Sequence, residues 1–144
     1  MAINTQKVIV GGLAAGVVMN VWDFVMNMFV LGKRMSEEMN AVAPGTAEKM
    51  MTTSAMVCYI IMDFILGIMI TWLYAAMRPR FGPGFGTAAK GAIFVWVLFG
   101  IAYSGYLISG MMSMSTWTMA SVGGLVNLML AAWVGGKLYS EPVA

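Results

Sequence analysis

Apolar residues run through the chain in four long blocks, 8–32, 53–77, 91–110 and 115–136, each closed by charge or by turn residues. Lys7 precedes the first block, and Lys33 with Arg34 follows it. Arg78-Pro79-Arg80 ends the second, Lys90 stands at the mouth of the third, and Lys137 follows the fourth. A bilayer core about 30 Å thick needs about 20 apolar residues in a helix. All four blocks reach that length, so the pattern predicts an all-α integral membrane four-helix bundle with antiparallel up-down topology. Residues 1–144 read as a single membrane domain. Proline cannot extend a helix in the ordinary way, so the second helix is expected to stop at Arg78-Pro79-Arg80. The first block is about twice as long as the apolar region of a signal peptide and has no small-x-small cleavage site, so it reads as retained.

The connections differ in length and character. In the longest, 33–52, Ser36 followed by Glu37 and Glu38 reads as a helix N-cap with acids in its first turn. Pro44-Gly45 then breaks the chain, and Thr46 is expected to cap an extension of the second helix. The segment 80–86 is a turn-rich loop of Gly, Pro and Phe. Residues 111–114 carry no charge and predict a tight hairpin. Trp72, Tyr74, Trp117, Trp133 and Tyr139 fall near block ends, where amphipathic rings favour the headgroup zone.

Within the blocks the informative positions are the small and polar ones. Lipid tails are as apolar as leucine, so helices in a bilayer associate through close packing and hydrogen bonds. Gly12, Gly16, Asn20, Asp23 and Asn27 share one face of the first helix, and Asp63, Gly67 and Thr71 align on the second. Gly100, Tyr103 and Ser104 mark the third; Ala120, Gly124, Asn127, Ala131 and Gly135 mark the fourth. These stripes, with Gly12, Gly16, Gly67, Gly124 and Gly135 as the packing glycines, predict the seams of the bundle. Asp23 and Asp63 are the only charged-type residues inside the blocks. An aspartate there costs about 2.5–3.5 kcal/mol on insertion scales and should face inward. At ~1.5 Å rise per residue, Asp23 and Asp63 lie ~13 and ~15 Å from the same end of their helices, near mid-span, with Asn127 and Tyr103 at similar depth. With no Lys or Arg in the blocks, at least one carboxyl is expected to be protonated at neutral pH, donating to Asn20, Asn127 or a backbone carbonyl. Asp23, Asp63, Asn20, Asn127 and Tyr103 are therefore the candidate ion or proton site.

Composition narrows the function. The chain is 60% hydrophobic and only 10% charged, against about a quarter charged in soluble domains. A net charge of +2 with no dense basic cluster excludes nucleic acid as a natural partner. There is no histidine and one cysteine, Cys58; no nucleophile-base pair and no metal signature is visible, so neither an enzyme, a cofactor nor a resident metal is expected. Seventeen methionines crowd toward one half, 111–114 among them. Thioethers suit Cu(I), but methionine is also a flexible apolar filler, and the filler reading is preferred. The glycines of 82–86 lack the Lys-Ser/Thr ending of a phosphate-binding loop; Arg78 and Arg80 beside them are expected to touch anionic headgroups. Lys7, Arg78, Arg80, Lys90 and Lys137 lie on one side against Lys33, Arg34 and Lys49 on the other, which places both termini in the cytoplasm.

The stretch Tyr74-Ala-Ala-Met-Arg78-Pro-Arg-Phe-Gly-Pro-Gly84 resembles a recurrent loop of small four-span bacterial membrane proteins in a family of unknown function. Their first helix opens with Gly-Gly-Leu-x-Ala-Gly followed by Asn, similar to Gly11 to Asn20 here, and often carries Glu where this chain has Asp23. The resemblance implies a multi-pass protein of the bacterial inner membrane and no particular activity. The expected role is a non-catalytic accessory or assembly subunit of a larger membrane complex. Its expected partners are the lipid bilayer and other membrane subunits or a second copy. The alternative is a small proton- or cation-coupled transporter or channel using the aspartate pair.

Overall fold

The computed structural model describes residues 3–139, and no strand occurs among them. The elements are α1 (Thr5–Met26), a wide π-helical turn (Asn27–Leu31), α2 (Gly32–Val42), α3 (Thr46–Met50), α4 (Thr53–Phe81), α5 (Phe85–Ile108) and α6 (Met114–Leu138). From α1 through α2 the helix is continuous, 38 residues in all. It, α4, α5 and α6 are four helices long and apolar enough to cross a membrane. Helix α1 packs on α4 and α6, α5 lies along α6 and α4, and α4 also touches α6.

Side-chain size explains where the helices meet. A Cβ on Gly12 would lie 2.5 Å from the Ile68 Cα, and one on Gly67 would lie 2.5 Å from both the Gly12 carbonyl oxygen and the Gly16 nitrogen. On the other flank of α1, a Cβ on Gly11 would lie 2.7 Å from the Gly135 carbonyl oxygen. Thr71, fully buried, fills the space between, and a Cβ on Gly135 would collide with its hydroxyl. That hydroxyl donates to the Gly67 carbonyl at 2.8 Å, so its polarity is satisfied inside its own helix. Ala15, Ala131 and Ala132 join Val8, Met19, Ile70 and Leu128 in the core, and at the glycine contacts backbones meet directly. This is how helices gain dispersion energy when lipid competes equally for large apolar groups.

The packing is uneven along the bundle. No residue of α4 before Gly67 is buried, and none of α5 after Ala92. The small residues of α5, Thr87, Ala88, Gly91 and Ala92, hold its first turns against the bundle. Beyond them Val95 and Trp96 pack partly against the core, and the Trp96 indole donates to the Ser121 carbonyl of α6 at 2.8 Å.

Several boundaries depart from the sequence expectation. Helix α4 runs through Pro79 and ends at Gly82, whose φ of 80° only glycine adopts readily. A proline three residues from a helix end loses one hydrogen bond but keeps a helical φ. Lys33 and Arg34 do not close the first helix, because the π turn carries it onward and leaves Ser36 inside α2. Thr46 begins the separate short helix α3, and the cap of α4 is Thr52, which accepts from the Ala55 N–H at 3.3 Å. Tyr74 and Tyr139 turn inward rather than to headgroups: they are 4% and 2% exposed and pack edge to face. Their hydroxyls accept the N–H groups of Gly84 and Asn4 at 3.0 and 3.2 Å. Among the packing glycines, Gly124 has no atom near its missing Cβ; the close approach falls on Gly123, against Met26. Arg80 is exposed with its guanidinium over Phe81.

At the far end, Glu38 of α2 caps α6. The Ser113 N–H donates to its Oε2 at 2.9 Å, and the hydroxyls of Ser113 and Thr116 lie 2.7 and 2.8 Å from its Oε1. First-turn N–H groups lack helical partners, and the helix dipole favours an anion beside them. Arg34 adds its charge at 3.7 Å. Burial pushes the Glu38 carboxyl up, but the Ser113 and Thr116 hydrogen bonds and Arg34 outweigh it and hold the group below the ordinary value of 4.5.

Two outcomes follow from this packing. Gly67→Ala should destabilise the protein in detergent by about 1–3 kcal/mol, the usual range for overpacking. Gly100→Ala, with nothing within 4 Å of the new methyl inside α5, should not lower the unfolding midpoint and should raise it slightly through helix propensity. Glu38→Gln should cost about 1 kcal/mol at pH 7, the typical worth of a helix cap. Because the folded pKa is the lower one, that stabilisation is complete above pH ~4.5 and fades as pH falls through the folded value, so the two melting curves should converge in acid.

Candidate functional site

Asp23 stands in the last turns of α1, one turn beyond Met19, which is buried in the core. The small residues of the seam hold α1 against α6 closely enough for a polar contact across it. Asn127 Nδ2 donates to Asp23 Oδ1 at 2.9 Å. The bond runs from amide to carboxyl, so Asp23 is the acceptor; the expected donation from a carboxyl to Asn20 or Asn127 is not the arrangement seen. Asn20 uses its amide elsewhere, donating to the Gly16 carbonyl at 2.9 Å and to the Ile60 carbonyl of α4 at 3.4 Å. It ties the α1–α4 seam and does not touch either carboxyl. Asn27 donates to the Asp23 backbone carbonyl at 2.9 Å, steadying the entry to the π turn.

Asp63 lies on α4 above the glycine seam, half-buried and within electrostatic reach of Asp23. It makes no hydrogen bond within the described residues. Tyr103 of α5 is within electrostatic reach of Asp23, Tyr106 and Tyr59, and its ring stacks at a tilt on Tyr106 with centroids 5.1 Å apart. The structure thus joins Asn127 of α6 to Asp23 of α1, sets Asp63 of α4 and Tyr103 of α5 within electrostatic reach of Asp23, and leaves Asn20 on backbone carbonyls.

Three buried polar atoms among the described residues have no hydrogen-bond partner: Asn127 Oδ1, Trp22 Nε1 and, in the first turn of α6, Trp117 Nε1. The Trp22 indole lies over Gly123, one helical turn from Asn127, so two of the three border the same α1–α6 contact. Trp22, Tyr59 and the Trp96–Ser121 bond were not singled out by the sequence reading. A tryptophan far from a block end was the available signal, since an indole N–H in lipid needs an acceptor.

Chemically, the arrangement offers oxygens and one amide donor, with no nucleophile poised by a base. Among the described residues, no trio of His, Cys, Asp or Glu is grouped to hold a metal. Met19, Met39 and Met112 are buried, whereas Met28, Met51, Met62 and Met114 are exposed, and Met119 Sδ lies 3.6 Å from the Arg34 guanidinium.

No family model matches this chain, and no curated protein or solved structure matches it either.

A double-mutant cycle on Asp23 and Asn127 should give a coupling energy of about 0.6–1.7 kcal/mol, the span measured for hydrogen bonds between membrane helices. The same cycle on Asp63 and Asn127 should give a coupling near zero, as no bond joins them. Unfolding by graded denaturing detergent would provide both values.

Proposed function

We propose that this protein is a non-catalytic subunit of the bacterial inner membrane, spanning it four times in antiparallel up-down order with both termini in the cytoplasm, and that it packs against a larger membrane complex. One observation carries the reading: the α4–α5 side is finished at one end of the bundle and unfinished at the other. From Thr53 to Ile65 and from Ile93 to Ile108 no side chain is buried, yet these segments carry Asp63, Tyr59, Tyr103 and Tyr106. Polar groups facing hydrocarbon are costly and ordinarily meet a partner. A transmembrane helix of another subunit, bearing hydrogen-bonding side chains at mid-depth, would supply those partners. The charge asymmetry of the loops and the likeness of the segment from Tyr74 to Gly84 to bacterial four-span proteins support the orientation and the location.

A second reading, a small proton- or cation-coupled carrier or channel, is favoured by the Asp23–Asn127 bond with Asp63 and Tyr103 in electrostatic reach of Asp23. Transporter sites of this kind lie near the bilayer midplane between packed helices.

Cys58, exposed on α4, is a native probe of the open side. In intact membranes, thiol cross-linkers at Cys58 should join this chain to a second, different polypeptide. A cysteine placed at Leu13, exposed on α1, should not do so in a protein whose Cys58 has been changed to Ser. A chain that stays single under cross-linking, runs alone in mild detergent and conducts ions by itself in proteoliposomes would overturn the subunit reading in favour of the second.

A further inference from the structure

We propose that Arg80 at the end of α4 and Lys90 in the second turn of α5, both set on the ring of Phe81, bind the headgroup phosphate of an anionic phospholipid. The site lies at the end of the bundle opposite Glu38. It stands apart from the aspartates and from both readings above, and it holds for either orientation of the chain in the bilayer.

The turn between the two helices is a fixed platform, although it is rich in glycine. Gly82 and Gly84 have positive φ, 80° and 120°, which lets the chain reverse between Phe81 and Phe85. The Tyr74 hydroxyl accepts the Gly84 N–H at 3.0 Å, and the Thr87 hydroxyl donates to the Gly82 carbonyl at 2.7 Å. Both of these side chains are buried, Tyr74 in α4 and Thr87 in α5, so the turn is tied to each helix. Phe81 and Phe85, which flank it, are 49% and 55% exposed.

Two cations are gathered on this platform and left unneutralised. The Arg80 guanidinium carbon lies 5.8 Å and the Lys90 Nζ 5.4 Å from the centre of the Phe81 ring, both within the range of a cation–π contact. One charge comes from each helix, so the turn itself creates the pair. Lys90 also reaches the Gly86 carbonyl at 3.5 Å, and neither side chain meets a carboxylate among the described residues. The carboxyls of those residues lie elsewhere: Asp23 and Asp63 within the spans, and Glu37, Glu38 and Glu48 on α2 and α3 at the other end. Two like charges held on one ring repel each other, and a ring face leaves their N–H donors without strong acceptors. An anion close to both removes the repulsion and accepts those donors.

The chemistry selects the ligand. A guanidinium fork matches phosphate oxygens in pairs, and an ammonium adds a point charge. A zwitterionic headgroup would bring its own ammonium against the two cations, whereas an anionic one would not. The exposed rings of Phe81 and Phe85 beside the charges offer apolar contact to the rest of a lipid molecule. A free phosphate has nothing to place there, so the lipid is the better fit.

The test uses the whole chain in mild detergent, with short-chain phosphatidylglycerol, short-chain phosphatidylcholine and inorganic phosphate added in turn. Native mass spectrometry counts retained lipid, and thermal unfolding gives the half-saturation. Phosphatidylglycerol should bind saturably and roughly tenfold more tightly than phosphatidylcholine. Arg80→Gln and Lys90→Gln should each weaken it about fivefold, the share of one basic residue at an anionic surface. Both side chains are exposed, so these variants should keep the unfolding midpoint of the lipid-free protein. Lys49→Gln, at the opposite end, should leave binding unchanged. Equal binding of the two lipids, an unchanged half-saturation in the Arg80→Gln/Lys90→Gln double variant, or an equal loss in Lys49→Gln would each overturn the site. Displacement of phosphatidylglycerol by inorganic phosphate at matched concentration would overturn it in favour of a plain anion site.

Discussion

Where α1 crosses α4, the side chain that Gly67 lacks would land 2.5 Å from the Gly12 carbonyl oxygen, so the two backbones touch with nothing between them. In water such a contact would be one contribution among many, since burial of large apolar groups would drive the helices together anyway. In hydrocarbon that drive is missing, and the number of close atom pairs becomes decisive. The contact fixes how near α4 can come, and with it the place of Thr71, the fit of Gly135 on α6 and the depth at which Asp23 meets Asn127. Larger residues at any of these glycines would push three helices apart together.

The same logic explains why the bundle is tight at one end and open at the other. Gly, Ala and Thr are concentrated where α1, α4 and α6 converge and in the first turns of α5. Ile, Met, Tyr and Phe dominate the other half of α4, whereas in α5 Gly100 and Gly105 recur there with nothing packed against them. The indole of Trp96 bridges from α5 to the Ser121 carbonyl of α6.

Much of this was legible in the residues. Length and hydropathy located four apolar helices, because a bilayer imposes a minimum span, and the spacing of Gly12, Gly16, Gly67 and Gly135 pointed to the faces that meet. Other features were not legible for identifiable reasons. The face of α6 was placed correctly at Asn127, Ala131 and Gly135, but Gly123 and Gly124 are adjacent, and periodicity alone cannot choose between neighbours. Tyr74 and Tyr139 were assigned outward because rings near helix ends usually are. Their inward turn depends on two backbone N–H groups, from Gly84 and Asn4, distant in sequence. Proline ordinarily predicts a stop, but the φ of Pro79 suits a helix and the true stop is the left-handed Gly82. Asn20 and Asn127 are the same residue type at similar depth, and only the three-dimensional packing decides that one binds backbone and the other a carboxyl.

The π turn at Asn27–Leu31 sets the angular phase between the two parts of a single long helix. Upstream of it Asp23 is bonded to α6, and downstream of it Glu38 is bonded to α6 again, at the other end of the same helix. A rod pinned at two points to one neighbour cannot rotate at either without changing its winding between them. The winding of those five residues therefore sets the angle between the two contacts: rewound as regular α-helix, they would leave Asp23 and Glu38 out of phase on the face that meets α6.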